Sequence, residues 1–174
     1  MTATLAAVTE AELQGFRIVG RSAVDAQTGS AFVLGYPYAA STLSLVAVDL
    51  ANHQVLWSSD AGTSSNNPFV AAGSGWLALV NDTDLTVRDG KTGEVRWRAT
   101  LSDVVTTCLR PDCLAVVANR IVVATLDRRL TAFDAETGDI AWLMEFGNDY
   151  YGFDLIGDRV VVIDEPDDQP NAIA

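Results

Sequence analysis

Positive charge is scarce in this sequence. Eleven Lys and Arg stand against 23 Asp and Glu, the formal net charge is −12, and Lys91 is the only lysine. Phosphate backbones and anionic lipid attract basic faces, so this balance argues against nucleic-acid and membrane-surface partners. No run of about 20 apolar residues occurs, so no transmembrane segment is expected. The opening MTATLAAVTEAEL has neither the basic n-region nor the apolar core of a secretory signal. Histidine occurs once, as His53, and cysteine twice, as Cys108 and Cys113. A complete zinc site takes four ligands, which these three residues do not supply. There is neither a Cys-x-x-Cys redox pair nor a pair of adjacent cysteines.

Apolar residues and repetition are what the chain does have. Hydrophobic residues make up 49% of 174, enough for one domain with a substantial core. The stretch LTVRDGKTGEVRW at 85–97 returns as LTAFDAETGDIAW at 130–142, and a weaker copy, LVAVDLANHQVLW, ends at Trp57. Asp49, Asp89 and Asp134 each precede a tryptophan (Trp57, Trp97, Trp142) by eight residues, and successive aspartates lie 40 and 45 residues apart. A period of 40 to 45 residues is the length of one propeller blade.

Each copy reads as a β-hairpin. LTVRD and LTAFD alternate as strands do, and the aspartate can accept hydrogen bonds from the amides of the reversal that follows. Thr92-Gly93 and Thr137-Gly138 close the turn, with glycine supplying a positive φ. The weak copy has Asn52-His53 there, two residue types that tolerate left-handed geometry, so His53 reads as a turn residue. Upstream, residues 76–89 align without a gap on 121–134, and PFVAAGSG and CLAVVANR read as first strands with tight turns. VDAQTG at 24–29 has the aspartate and Thr-Gly but no tryptophan, and reads as the hairpin tip between strands one and two of the first unit.

The expected organisation is a lead-in at 1–14, blade 1 at 15–59, blade 2 at 66–101, blade 3 at 108–146 and a partial blade 4 at 150–174. Blade 4 supplies two strands and part of a third. Such an arc is expected to expose the flanks of its end blades. The tryptophans fall in fourth strands, where two readings stand: packing between neighbouring blades, or a platform for a planar cofactor.

At Asp89, Thr92, Gly93, Trp97 and at Asp134, Thr137, Gly138, Trp142, with Asp49 and Trp57 in the degraded copy, the sequence resembles the pyrroloquinoline-quinone-like (PQQ-like) propeller repeat. The resemblance implies an all-β propeller of WD40- or YVTN-like architecture, with about three and a half four-stranded antiparallel blades in an incomplete ring. The rest of a propeller, or a second copy, would close it. The family includes quinoprotein dehydrogenases, a lipoprotein of outer-membrane protein assembly and sensor-like domains. Its enzymes place a calcium-bound quinone between a tryptophan and a vicinal disulfide. This chain lacks adjacent cysteines, so no catalytic residue is assigned and neither PQQ nor calcium is expected. The run DEPDDQP at 164–170 lacks the EF-hand pattern and suits an exposed loop.

A non-catalytic scaffold or sensor module that binds a protein partner is therefore the first functional expectation. A segment of a quinone-dependent oxidoreductase whose catalytic residues lie elsewhere is the alternative. For partner contact the candidates are Tyr36 and Tyr38 in GYPYAAST (35–42), and Tyr150 and Tyr151 in FGNDYYGF (146–153), both read as loops. Cys108 and Cys113 flank Arg-Pro-Asp, a good turn core; a disulfide, two thiols or half a metal site all fit. A disulfide would place the chain in a periplasmic or extracellular setting. If it is present, protein from an oxidising compartment gains no mass on alkylation without reductant, whereas two labelled thiols refute the bridge.

Overall fold

The computed structural model describes residues 16–19, 22–38, 41–62, 68–105, 113–146, 150–157 and 159–164. Fifteen strands, numbered β1 to β15 in chain order, form four antiparallel sheets, with no helix among the described residues. The first sheet holds β1 (Phe16–Ile18), β2 (Ala23–Asp25), β3 (Ser30–Pro37), β4 (Leu43–Asp49) and β5 (Gln54–Gly62). The second holds β6 (Phe69–Gly73), β7 (Trp76–Asn81), β8 (Asp84–Asp89) and β9 (Val95–Thr100). The third holds β10 (Leu114–Val117), β11 (Arg120–Thr125), β12 (Arg129–Asp134) and β13 (Ile140–Glu145). The fourth pairs β14 (Tyr150–Ile156) with β15 (Arg159–Asp164). These are three full blades and part of a fourth of an all-β propeller whose ring is not closed. The segment 1–14 and the tail 165–174 lie outside the described residues, and with them most of the acidic run at 164–170.

Burial explains why the strands of one blade differ in sequence. A middle strand is covered on both faces, so it reads as a continuous apolar run. In β7, Leu77 and Leu79 join the core shared with the first blade, while Ala78 and Val80 join the core shared with the third. The outermost β9, VRWRAT, is mostly exposed and alternates with charge. Phe153, fully buried, carries the second core onward into the fourth sheet.

Blade 1 builds its innermost position from two pieces. β1 pairs with one end of β3 (Arg17 opposite Tyr36) and β2 with the other (Val24 opposite Ala31). β2 and β3 form the hairpin whose tip contains Thr28-Gly29, as expected, and Gly29 takes a φ of 68°. Asp25, buried, accepts from Gln27 N and, across the blade boundary, from Gly75 N at 2.8 Å. Asp25 thus ties blade 1 to blade 2.

Four expectations need correcting. The gapless match of 76–89 on 121–134 is off by one, because Asp89 lies opposite Trp76 whereas Asp134 lies opposite Arg120. The tip of the third blade has three residues, Leu126 to Arg128, against two in the second, and Arg128 takes a φ of 65°. Residues 35–37 are strand, not loop, because β1 pairs with them; a Cβ on Gly35 would strike the Phe16 ring. Tyr150 and Tyr151 belong to β14, whose partner β15 supplies the ladder that the loop reading overlooked. Finally, blade 1 does not expose its outer flank. The pairs Ala31–Val48 and Val33–Val46 face away from blade 2, yet all four residues are at most 6% exposed.

Candidate functional site

The repeat aspartates organise three equivalent turns at one end of the sheets. Asp49 Oδ1 accepts from the amides of Ala51 and Asn52 at 2.7 and 2.9 Å. Asp89 Oδ1 accepts from Lys91 and Thr92, and Asp134 Oδ1 from Glu136 and Thr137, at 2.8 to 3.2 Å. The amide four residues on then donates to the aspartate carbonyl: His53, Gly93 and Gly138, at 2.8, 2.9 and 2.9 Å. These three residues take φ values of 57°, 77° and 79°, so His53 adopts the turn-glycine geometry.

These hydrogen bonds shift the carboxylates. The Asn52 and Ala51 amides hold Asp49 below the ordinary carboxylate value, and the Thr137 and Glu136 amides do the same for Asp134. Partial burial alone would raise Asp89, but the Arg96 guanidinium at 2.6 Å and the Thr92 amide outweigh it and lower the group.

Two of the tryptophans reach across to the next blade's turn. Trp57 Nε1 donates to Gly90 O at 3.0 Å and Trp97 Nε1 to Ala135 O at 2.8 Å, in each case the carbonyl following the repeat aspartate. Their indole rings press on the turn glycines. A Cβ on Gly93 would lie 2.6 Å from Trp57, and one on Gly138 2.8 Å from Trp97. Phe32 tilts against Trp57 at 6.0 Å and Phe133 against Trp97 at 5.7 Å. Of the two readings for these tryptophans, packing between blades is the one the geometry supports. Trp142, half-buried, packs on the second core without such a turn above it among the described residues.

The remaining candidates are scattered. Cys113 is buried at the start of the third blade and disulfide-bonded, while Cys108 lies outside the described residues. Tyr36 and the strongly exposed Tyr38 (78%) stand at the end of blade 1 opposite the aspartate turns. Arg17 sits 5.8 Å over the Tyr36 ring, and these residues form a shallow surface with Pro37 and Ser41. Tyr150 begins β14 at the corresponding end of the fourth sheet, since that strand follows the outermost strand of blade 3. Among the described residues no three His, Cys, Asp or Glu converge as a metal site would need. Sequence reasoning missed Asp25 as an inter-blade acceptor and Arg17 as the partner of Tyr36.

The family model described as outer membrane protein assembly factor BamB matches residues 41–165. No curated protein matches the sequence. Among solved structures, BamB from Moraxella catarrhalis is 21% identical, with a TM-score of 0.56 over 75% of this chain and 38% of its own. A europium-containing methanol dehydrogenase is 18% identical, with a TM-score of 0.50 over 74% of this chain and 26% of its own. The computationally designed Ika4 protein is 14% identical, with a TM-score of 0.60 over 84% of each chain. The chain therefore spans well under half of the first two, and at these identities the likeness is one of fold.

Replacing Trp97 by Ala should cost about 3–5 kcal/mol, the range for emptying a large aromatic site. An unchanged denaturant midpoint would show that the ring does not bind the blades together. Because Asp49, Asp89 and Asp134 are lowered in the folded state, their contribution is present above the unfolded carboxylate value near about 4 and lost as pH falls through their folded values. Melting temperature should fall on acidification below about pH 4. Asp134→Asn keeps an acceptor without the charge, so its fall should be shallower than that of the wild type; an equal slope would contradict the assignment.

Proposed function

On the premise that this chain belongs to the PQQ-like propeller family described as outer membrane protein assembly factor BamB, we propose that it is a non-catalytic module that binds a protein partner. The observation that supports this reading most is the division of labour among its distinctive residues. The repeat aspartates, glycines and His53 are engaged in turns, and Trp57 and Trp97 in the contacts between blades. The Arg17–Tyr36 stack and exposed Tyr38 stand apart from that framework, at the other end of blade 1.

Tyrosine offers a large contact surface with only two side-chain torsions to immobilise, and arginine stacked on it adds a fixed donor array. Tyr150 and Tyr151, which begin β14, are the other residues of the proposed contact. The partner presents apolar and acceptor groups to this rim.

Replacing Tyr36, Tyr38, Tyr150 and Tyr151 by Ser should leave the circular dichroism and melting temperature nearly unchanged while weakening retention of the native partner. Unfolding of the quadruple variant would make the tyrosines core residues instead. Oxidation of alcohols by the full-length protein with added quinone and calcium would replace this reading with the oxidoreductase one.

A further inference from the structure

The seam between blades 1 and 2 departs from the seam between blades 2 and 3 in the charge of its third and fourth strands, which carry two arginines. Pairing fixes which side chains face it. Val87 and Trp97 pair with each other and join the core shared with the third blade, so Thr86, its partner Arg98, and Arg88 face the first. From blade 1, Ser59 faces the same seam, because it pairs with Leu45 of the shared core. At the equivalent positions of the next seam stand Thr131, Leu143 and Phe133 from blade 3, opposite Ala99 from blade 2. Apolar packing fills that seam, with Phe133 on Trp97. The first seam has two guanidinium groups instead.

Neither arginine has an ion pair among the described residues, in a chain with 23 acids and 11 bases. Arg88 donates from one Nη to Gly93 O at 2.8 Å, but its Nε is buried without an acceptor. Burial lowers the Arg88 guanidinium, and the positive charge of Arg98 lowers it further. Ser59 Oγ is also buried without a partner, and so is Asn81 Oδ1, whose Nδ2 donates to Ala61 O across the same seam. Every buried side-chain polar atom that lacks a partner among the described residues thus lies along this one boundary. Such groups cost free energy unless something satisfies them. The neighbouring carboxylates do not: Asp89 holds Arg96, Asp60 accepts from Gly62 N, and Asp25 accepts from Gln27 N and Gly75 N. Asp84 stands at the far end of β8, on the surface that Thr86 and Arg98 also line.

We propose that this seam is an oxyanion site, in which Arg88 and Arg98 hold a carboxylate or phosphate group beside Ser59 and Thr86. Two arginines match the oxygens of such a group, and hydroxyl donors complete its shell. Arg98 is exposed and Arg88 half-buried. In blade 3 the change to Phe133 and Leu143 removes both charges, so the site belongs to this seam and not to the repeat.

Titration of the whole protein at low ionic strength, once with inorganic phosphate and once with an acetylated, amidated tri-glutamate peptide, tests this. Saturable one-site binding of at least one probe is expected, weakened about tenfold or more in Arg98→Gln, as loss of a charge-assisted contact implies. Arg96→Gln, on the same strand but paired with Asp89, should bind as the wild type does. Binding of phosphate alone assigns the site to a free anion, and binding of the peptide to a partner's carboxylate. If neither probe saturates, or if Arg98→Gln binds as tightly as the wild type, the proposal is wrong. Arg98 is exposed, so its replacement tests the site without the risk of unfolding that Arg88→Gln carries.

Discussion

The contact on which this structure depends is an indole ring laid over a glycine of the next blade. Four-stranded sheets do not bind one another through backbone ladders, so something must fix their spacing and rotation. Here Trp57 and Trp97 do so twice over: each buries a ring against the neighbouring turn and satisfies its N–H on the carbonyl beside the repeat aspartate. The remaining repeat residues serve that contact. Aspartate holds the turn through two amides, and glycine provides both the positive φ and the space where a Cβ would collide with the ring. The eight-residue offset places the tryptophan on the fourth strand, opposite Val87 or Ala132 of the third.

His53 is informative because it breaks that rule without breaking the turn. Its φ of 57° is that of the glycines, and the same Asp49 hydrogen bonds hold it. What it lacks is space: its Cβ projects where, at Gly93 and Gly138, a tryptophan ring lies. The first blade's turn cannot receive an indole in the manner of the second and third. The contact is also directional, running from each fourth strand to the following turn. Trp142 is the next donor in that series, with no receiving turn among the described residues.

Much of this was legible in the sequence, and the parts that were not share a cause. Aspartate, glycine and tryptophan at fixed offsets announced the hairpins, since those signals are local and each follows from turn geometry. The left-handed His53 was legible for the same reason. Pairing was not. The offset of β11 depends on a three-residue tip, which no composition distinguishes from a two-residue one. The strand character of residues 35–37 depends on β1, a short segment about twenty residues away. Arg88 was invisible as a seam residue because the face of a strand becomes known only once its partner is fixed. Cross-strand register is a long-range property, and single-residue patterns carry little of it.

A double-mutant cycle on Trp97 and Gly138 tests the central contact most directly. The single changes Trp97→Ala and Gly138→Ala are compared with the double change by denaturant unfolding. If the ring rests on the glycine, removing the ring leaves Gly138→Ala only its backbone penalty, and the two costs fall short of adding by about 1 kcal/mol or more. Costs that add within about 0.3–0.5 kcal/mol would mean that the two residues stabilise the protein independently, and the account of how the blades are held together would fail.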